Sequence, residues 1–146
     1  LYKSKRNDLW VSTDMSGVYR ISSQNQVTNF RNSPGKESLS DDHVRNVVED
    51  EFGNIWIGTF YGLNKYDPIT NKWKCYTQID NVPYSLSHSS VFSLYKDMQG
   101  NIWVGTYFGG INRFNPRADI YHFYGALGGN NPNNLKVSCK GVLPEV

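Results

Sequence analysis

His43, preceded by Asp41 and Asp42, superficially resembles an acid–base or metal cluster. Residues this close together point different ways along an extended strand, so the group is not expected to hold a metal. His88 and His122 stand apart from it, and each histidine also reads as a hydrogen-bonded structural group. No Ser sits in a Gly-x-Ser-x-Gly elbow, no glycine-rich phosphate loop precedes a helix, and no paired carboxylates stand out. Asp-x-x-Gly-Asn at 50–54 and 97–101 lacks the alternating carboxylates and closing Glu of a calcium loop, and reads as a hairpin turn. Catalytic residues, metal sites and cofactors are therefore expected to be absent. Phe60-Tyr61 and Tyr107-Phe108 are the sharper feature. Paired aromatics beside a Gly turn stack on sugar faces or on a partner's apolar chain. The alternative is that one residue of each pair packs inside the protein.

Composition narrows the frame that must position these residues. The chain has 146 residues, one domain or part of one. Its formal charge of +2 is too balanced for a nucleic-acid footprint. Aromatics make up 14% of it, which argues against intrinsic disorder. No apolar run approaches the length of a membrane helix, and no signal peptide is recognised, so the chain reads as cytosolic or as an excised piece of a longer one. Cys75 and Cys139 lack metal-ligand spacing. They read as two unrelated thiols, with one disulfide in an oxidising compartment as the alternative.

The chain repeats itself. Asp50-Glu-Phe-Gly-Asn-Ile-Trp-Ile-Gly-Thr59 and Asp97-Met-Gln-Gly-Asn-Ile-Trp-Val-Gly-Thr106 share seven of ten residues. The offset is 47 residues, and a weaker copy, Asp8-Leu-Trp-Val-Ser-Thr13, lies 46 upstream. Gly62-Leu-Asn-Lys-Tyr-Asp-Pro68 answers Gly110-Ile-Asn-Arg-Phe-Asn-Pro116, and Ser38-Leu-Ser40 answers Ser85-Leu-Ser87. The runs between turn formers are 4–7 residues long and rich in β-branched and aromatic residues, and none keeps helical spacing. Each period therefore reads as four strands: Val44–Glu49, Ile55–Thr59, Leu63–Tyr66 and Lys72–Tyr76. Four antiparallel strands in about 45 residues describe an all-β propeller blade. The blades read as 1–37 (incomplete, strands two to four), 38–84 and 85–131. Residues 132–146 form an atypical tail or the start of a fourth blade. About three repeats do not close a ring, so the chain is expected to be a fragment of a larger propeller. Trp56 and Trp103 are expected to fill the gaps between blades. Gly58, Gly105 and Ser12 are expected where strands crowd toward the axis or another backbone passes closely.

This combined motif resembles the two-component regulator propeller repeat, over roughly residues 8–124. The resemblance implies the periplasmic sensor region of a hybrid two-component system, with an oligosaccharide ligand, a membrane anchor and a histidine kinase elsewhere in the parent protein. It implies no enzyme activity for this segment. The short turns between second and third strands and the long connections between blades share one face of a propeller. That face would carry Phe60, Tyr61, Tyr107 and Phe108, with Asp14, His43, His88 and Tyr84 beside them. The expected partners are a small-molecule ligand, the rest of the parent sensor and a second copy of the chain; nucleic acid and membrane segments are not expected. The rival readings are a protein-interaction or dimerisation scaffold and, less favoured, a propeller lyase or hydrolase using His43 or His88.

Overall fold

The computed structural model describes residues 1–82, 85–117, 120–125 and 136–141. The two near-identical cores begin at the same kind of turn. Asp50 Oδ1 accepts the Phe52 and Asn54 amides, while Oδ2 accepts Asn54 Nδ2 and the Trp56 indole N–H at 2.9 Å. Asp97 makes the corresponding bonds to Asn101 and to Trp103 Nε1. Gly53 and Gly100 have φ of 87° and 85°, the left-handed region that a side chain resists. One aspartate thus closes the turn and fixes the tryptophan that follows.

These turns join the inner strands of antiparallel sheets. β1 (Tyr2–Lys3), β2 (Leu9–Ser12), β3 (Val18–Ile21) and β4 (Val27–Phe30) form the first sheet, in that order. β5 (Val44–Glu49), β6 (Ile55–Thr59), β7 (Gly62–Asp67) and β8 (Lys72–Tyr76) form the second. β9 (Val91–Lys96), β10 (Ile102–Thr106), β11 (Gly110–Asn115), β12 (Ile120–Gly125) and β13 (Lys136–Gly141) form the third. The second sheet follows the sequence reading, with its third strand one residue longer at each end. The described residues include no helix, and so none long and apolar enough to cross a membrane.

The ends depart from that reading. The first sheet has a fourth, innermost strand, where residues 1–37 read as strands two to four. Tyr2 pairs with Trp10 and Lys3 with Leu9. Two residues are too few to show a pattern; the strand is held because Tyr2 packs against the core and the Lys5 amide donates to Glu49 Oε2 at 2.6 Å. At the other end, β13 runs antiparallel to β12 on the outer edge of the third sheet, with Tyr124 opposite Val137.

Two apolar clusters lie between consecutive sheets, the arrangement of propeller blades. Between the first and second blades, Trp10 stacks on Phe30 and meets Tyr66 edge-on. Between the second and third, Trp56 stacks on Tyr76 and packs against Phe114 at 4.8 Å. A Cβ on Gly58 would lie 2.6 Å from Val91 Cγ1. Gly58 is therefore small because a side chain of the next blade fills its place, not because a backbone passes it. A Cβ on Gly105 would meet Ser93 Oγ of the paired strand β9 at 2.4 Å.

Candidate functional site

The turn after the second strand is tied down at both ends in the second blade and at its start in the third. In the second blade the Phe60 amide donates to His43 O and the Gly62 amide to Ser89 O. In the third, the Tyr107 amide donates to Ser90 O. Each turn is thereby stitched to a long connection between blades. The connections are anchored by a repeated polar network. Asn64 Nδ2 donates to Ser40 Oγ while its Oδ1 accepts the Ser40 amide, and Ser40 Oγ meets Thr59 Oγ1 at 3.0 Å. Asn112, Ser87 and Thr106 repeat those bonds in the next blade. Leu39 and Leu86, inside the two Ser-Leu-Ser segments, are buried. The exposed turn residues therefore stand on a fixed base.

On that base the two aromatic pairs stand in solvent. Phe60, Tyr61 and Tyr107 are more than half exposed and Phe108 is 81% exposed, so neither pair supplies a residue packed between blades. They belong to a strip that crosses from one blade to the next. His43 lies 6.0 Å from Phe60; Phe92 lies 6.3 Å from Tyr107; Tyr107 meets Phe108 edge-on at 4.4 Å; and His88 lies 5.9 Å from Phe108. The Arg45 guanidinium bridges the blades, 5.6 Å from the Phe60 ring centre and 5.1 Å from that of Phe92. A groove of about 540 Å³ runs beside the strip, lined in part by Phe60, Tyr61, Gln78, Asp80, His88 and Ser89.

Arg45 and Phe92 were missed by sequence reasoning, although a signal existed. They occupy one repeat position, 47 residues apart on β5 and β9. Each is exposed beside a buried Val44 or Val91, at the bulge where its strand shifts register against the next one.

His43 and His88 both lie just ahead of the first strand of a blade, at different repeat positions. The Asp41–His43 expectation needs correction, because their side chains do meet: His43 Nδ1 lies 2.9 Å from Asp41 Oδ1. The reason is local. Asp41 Oδ1 also accepts the His43 amide in a tight turn ahead of the strand, and alternation along a strand does not apply there. His88 stands one repeat from Asp41 and does the same work: its Nδ1 accepts the Ser90 amide at 3.0 Å. Asp42 turns away to Arg31. Burial opposes its charge, but the Asn32 amide and the Arg31 guanidinium hold its carboxyl below the usual range. Among the described residues no three His, Cys, Asp or Glu side chains gather as a metal site. Asp14 is exposed at the corresponding turn of the first blade, beside Met15. Tyr84 and the side chains of His122 and Cys139 lie outside the described residues.

With this geometry in place, comparison with known proteins is specific about the repeat. The family model of the two-component regulator propeller matches residues 38–61 and 85–108. No curated protein sequence matches the chain. Among solved structures, one described as the extracellular domain of the hybrid two-component system BT3049 from B. thetaiotaomicron superposes with a TM-score of 0.63. It is 15% identical, over 93% of this chain and 22% of that one. The extracellular domain described as that of the one-component system BT4673 from the same organism gives 0.64 at 22% identity, over 81% of this chain and 16% of that one. PorZ, described as an essential surface component of the type-IX secretion system of Porphyromonas gingivalis, gives 0.55 at 18% identity, over 75% and 16%. The chain spans about a fifth or less of the length of these three structures, and the likeness is one of fold. Each matched segment runs from the Ser-Leu-Ser anchor through the Asp turn and its Trp to the exposed aromatic pair, and over these two segments the chain is similar to the two-component regulator propeller repeat.

Proposed function

We propose that this chain is the ligand-binding propeller of a two-component sensor, that it works in the periplasm, and that its aromatic strip takes an oligosaccharide. One observation carries the reading: exposed aromatics of two blades form a continuous strip on a fixed base, with a groove of mixed aromatic and polar lining beside it. Sugar rings offer an apolar face for stacking and a rim of hydroxyls for groups such as Gln78, Asp80 and His88. The repeated residues of the scaffold differ little from blade to blade, whereas the loop residues differ, as specificity on a repeat protein requires. The chain does no chemistry itself here; binding biases a kinase elsewhere in the parent protein. The family match and the extracellular origin of two of the compared structures support this assignment.

Titration of purified protein with a glycan panel tests it. Ala at Phe60, Tyr107 or Phe108 is expected to weaken binding roughly 5–150-fold, by analogy with stacked bases worth about 1–3 kcal/mol. A panel without a binder, or variants that all bind as wild type, would overturn the reading.

A second feature favours association between copies. Tyr95 and Ile111 on the third blade are 64% and 49% exposed, while their repeat equivalents Val48 and Leu63 are 8% and 0% exposed against the next blade. We infer that this face is covered by another blade, from the parent protein or from a second copy. Sedimentation at micromolar concentration is expected to show concentration-dependent association that Tyr95→Asp weakens; a monomer throughout would exclude the second copy and leave a blade of the parent protein to cover the face.

A further inference from the structure

We propose that the ligand of the aromatic strip is acidic, and that Arg45 receives its oxyanion, a uronate carboxylate or a sulfate ester. The proposal rests on the reading of the strip as an oligosaccharide site and narrows the class of sugar.

Arg45 is exposed on β5, and its guanidinium lies between the rings of Phe60 and Phe92, which belong to different blades. Contact with aromatic faces holds a guanidinium plane while leaving its N–H edge free for hydrogen bonds. That edge is a fork that matches an oxyanion with two parallel bonds. Two other surface arginines have such a match within the protein. Arg31 is paired with Asp42, and Arg117 with Glu51 across two blades. The acids at the head of Arg45's own strand are committed elsewhere: Asp41 to the His43 amide and ring, Asp42 to Arg31 and the Asn32 amide. Asp80 lines the groove beside Phe60 and Tyr61, of which Arg45 forms no wall. Packing does not demand an arginine at this position, because the next blade carries Phe92 there. A cation braced by two rings, at the centre of a strip that binds sugars by stacking, is placed to select an acidic sugar over a neutral one.

Calorimetry on the purified protein tests this with three probes: oligogalacturonate, a chondroitin sulfate oligosaccharide and a neutral cello-oligosaccharide. At least one acidic probe is expected to bind tenfold or more tighter than the neutral one, with the advantage shrinking as salt is raised. Arg45→Gln is expected to remove about 10–100-fold of the acidic affinity, the range for hydrogen bonds to a charged group. Arg45→Lys is expected to recover only a small part, because an ammonium neither forks nor stacks as a plane. Both variants should melt as wild type. Tighter binding of the uronate or of the sulfated probe identifies the source of the oxyanion. Equal binding of neutral and acidic probes, unchanged by Arg45→Gln, overturns the proposal and leaves the oligosaccharide site standing. Binding of none of the three overturns both.

Discussion

At one end of the second and third blades, Asp50 and Asp97 accept hydrogen bonds from the same partners, an asparagine four residues on and the tryptophan six residues on. At the other end, Phe60-Tyr61 becomes Tyr107-Phe108-Gly109, Arg45 becomes Phe92, and Asp41 becomes His88. The backbone need is unchanged there: Asp41 and His88 each accept the amide two residues on. What changes is the side chain presented to solvent. Where a side chain has one way to satisfy a fold, the repeat keeps it; where several serve, the position is free for recognition. Changes at the Asp end should therefore cost stability, and changes at the aromatic end should cost binding.

Asp50→Ala is expected to be the largest effect. Asp50 is fully buried and accepts from two backbone amides, an amide side chain and the Trp56 indole. Leaving such donors unpaired in the interior costs about 1–3 kcal/mol each when unrelieved, so a loss of about 3–4 kcal/mol is expected in urea unfolding. Loss of ligand affinity at full folding, with stability within about 1 kcal/mol of wild type, would reverse the assignment of the two ends.

Gly109→Ala links the two ends and comes next. A Cβ there would lie 2.6 Å from the backbone carbonyl of Ser87, which cannot rotate away as a side chain would. The turn that carries Tyr107 and Phe108 must shift. A cost of about 1–3 kcal/mol, the range for overpacking, is expected together with weaker ligand binding. Gly35→Ala is the control for space, since nothing lies within 4 Å of its Cβ position, although its φ of 78° still carries strain. Normal binding by Gly109→Ala would detach the aromatic strip from the Ser87 anchor.

How much of this was legible in the sequence follows from what each residue repeats. The blades, their strands and the turns at Asp50 and Asp97 could be read because the same residues recur at 47-residue spacing. The function of the aspartate as a tryptophan anchor was not read, although Asp and Trp recur six residues apart. A pairing between side chains leaves the same imprint as a turn preference. Arg45 and Phe92 were missed for the opposite reason. They share a position but not a residue type, so a comparison for identity passes over them. The contact of Asp41 with His43 depends on backbone geometry ahead of a strand, which alternation does not describe. The two-residue strand β1 is carried by contacts to other blades and leaves no local pattern.

The first blade offers a smaller test. Ser4 stands where the later blades have Asp; its hydroxyl accepts the Asp8 amide at 3.1 Å, as Asp50 accepts that of Asn54. Serine is too short to reach further, and the buried Trp10 Nε1 has no partner. Asn7 takes the left-handed position that Gly53 and Gly100 fill, with φ of 62°. Ser4→Asp restores the missing acceptor. It is expected to stabilise the protein by about 1 kcal/mol, seen as a higher midpoint in urea. An unchanged or lower midpoint would mean that the first blade does not use the turn as the others do.

The smallest expected effect concerns acid. Burial disfavours the charge on Asp97, but the Asn101 side chain, the Trp103 indole and the backbone amides of Asn101 and Gln99 outweigh it and hold the carboxyl below its usual range. A carboxylate whose pKa is lowered by folding stabilises the native state fully above its unfolded value, near 4, and loses that contribution as pH falls through the folded value. Solvent near the turn screens part of the effect. Other carboxylates are lowered as well, among them Asp67 by the Thr70 hydroxyl and Glu51 by Arg117, so acid alone does not isolate Asp97. The comparison with Asp97→Asn does, because asparagine keeps one acceptor and does not titrate. The variant is expected to be less stable than wild type at pH 7, and the two urea midpoints are expected to converge as pH falls below about 4. A deficit equal at pH 7 and pH 3 would mean that the turn needs only the shape of Asp97 and not its charge.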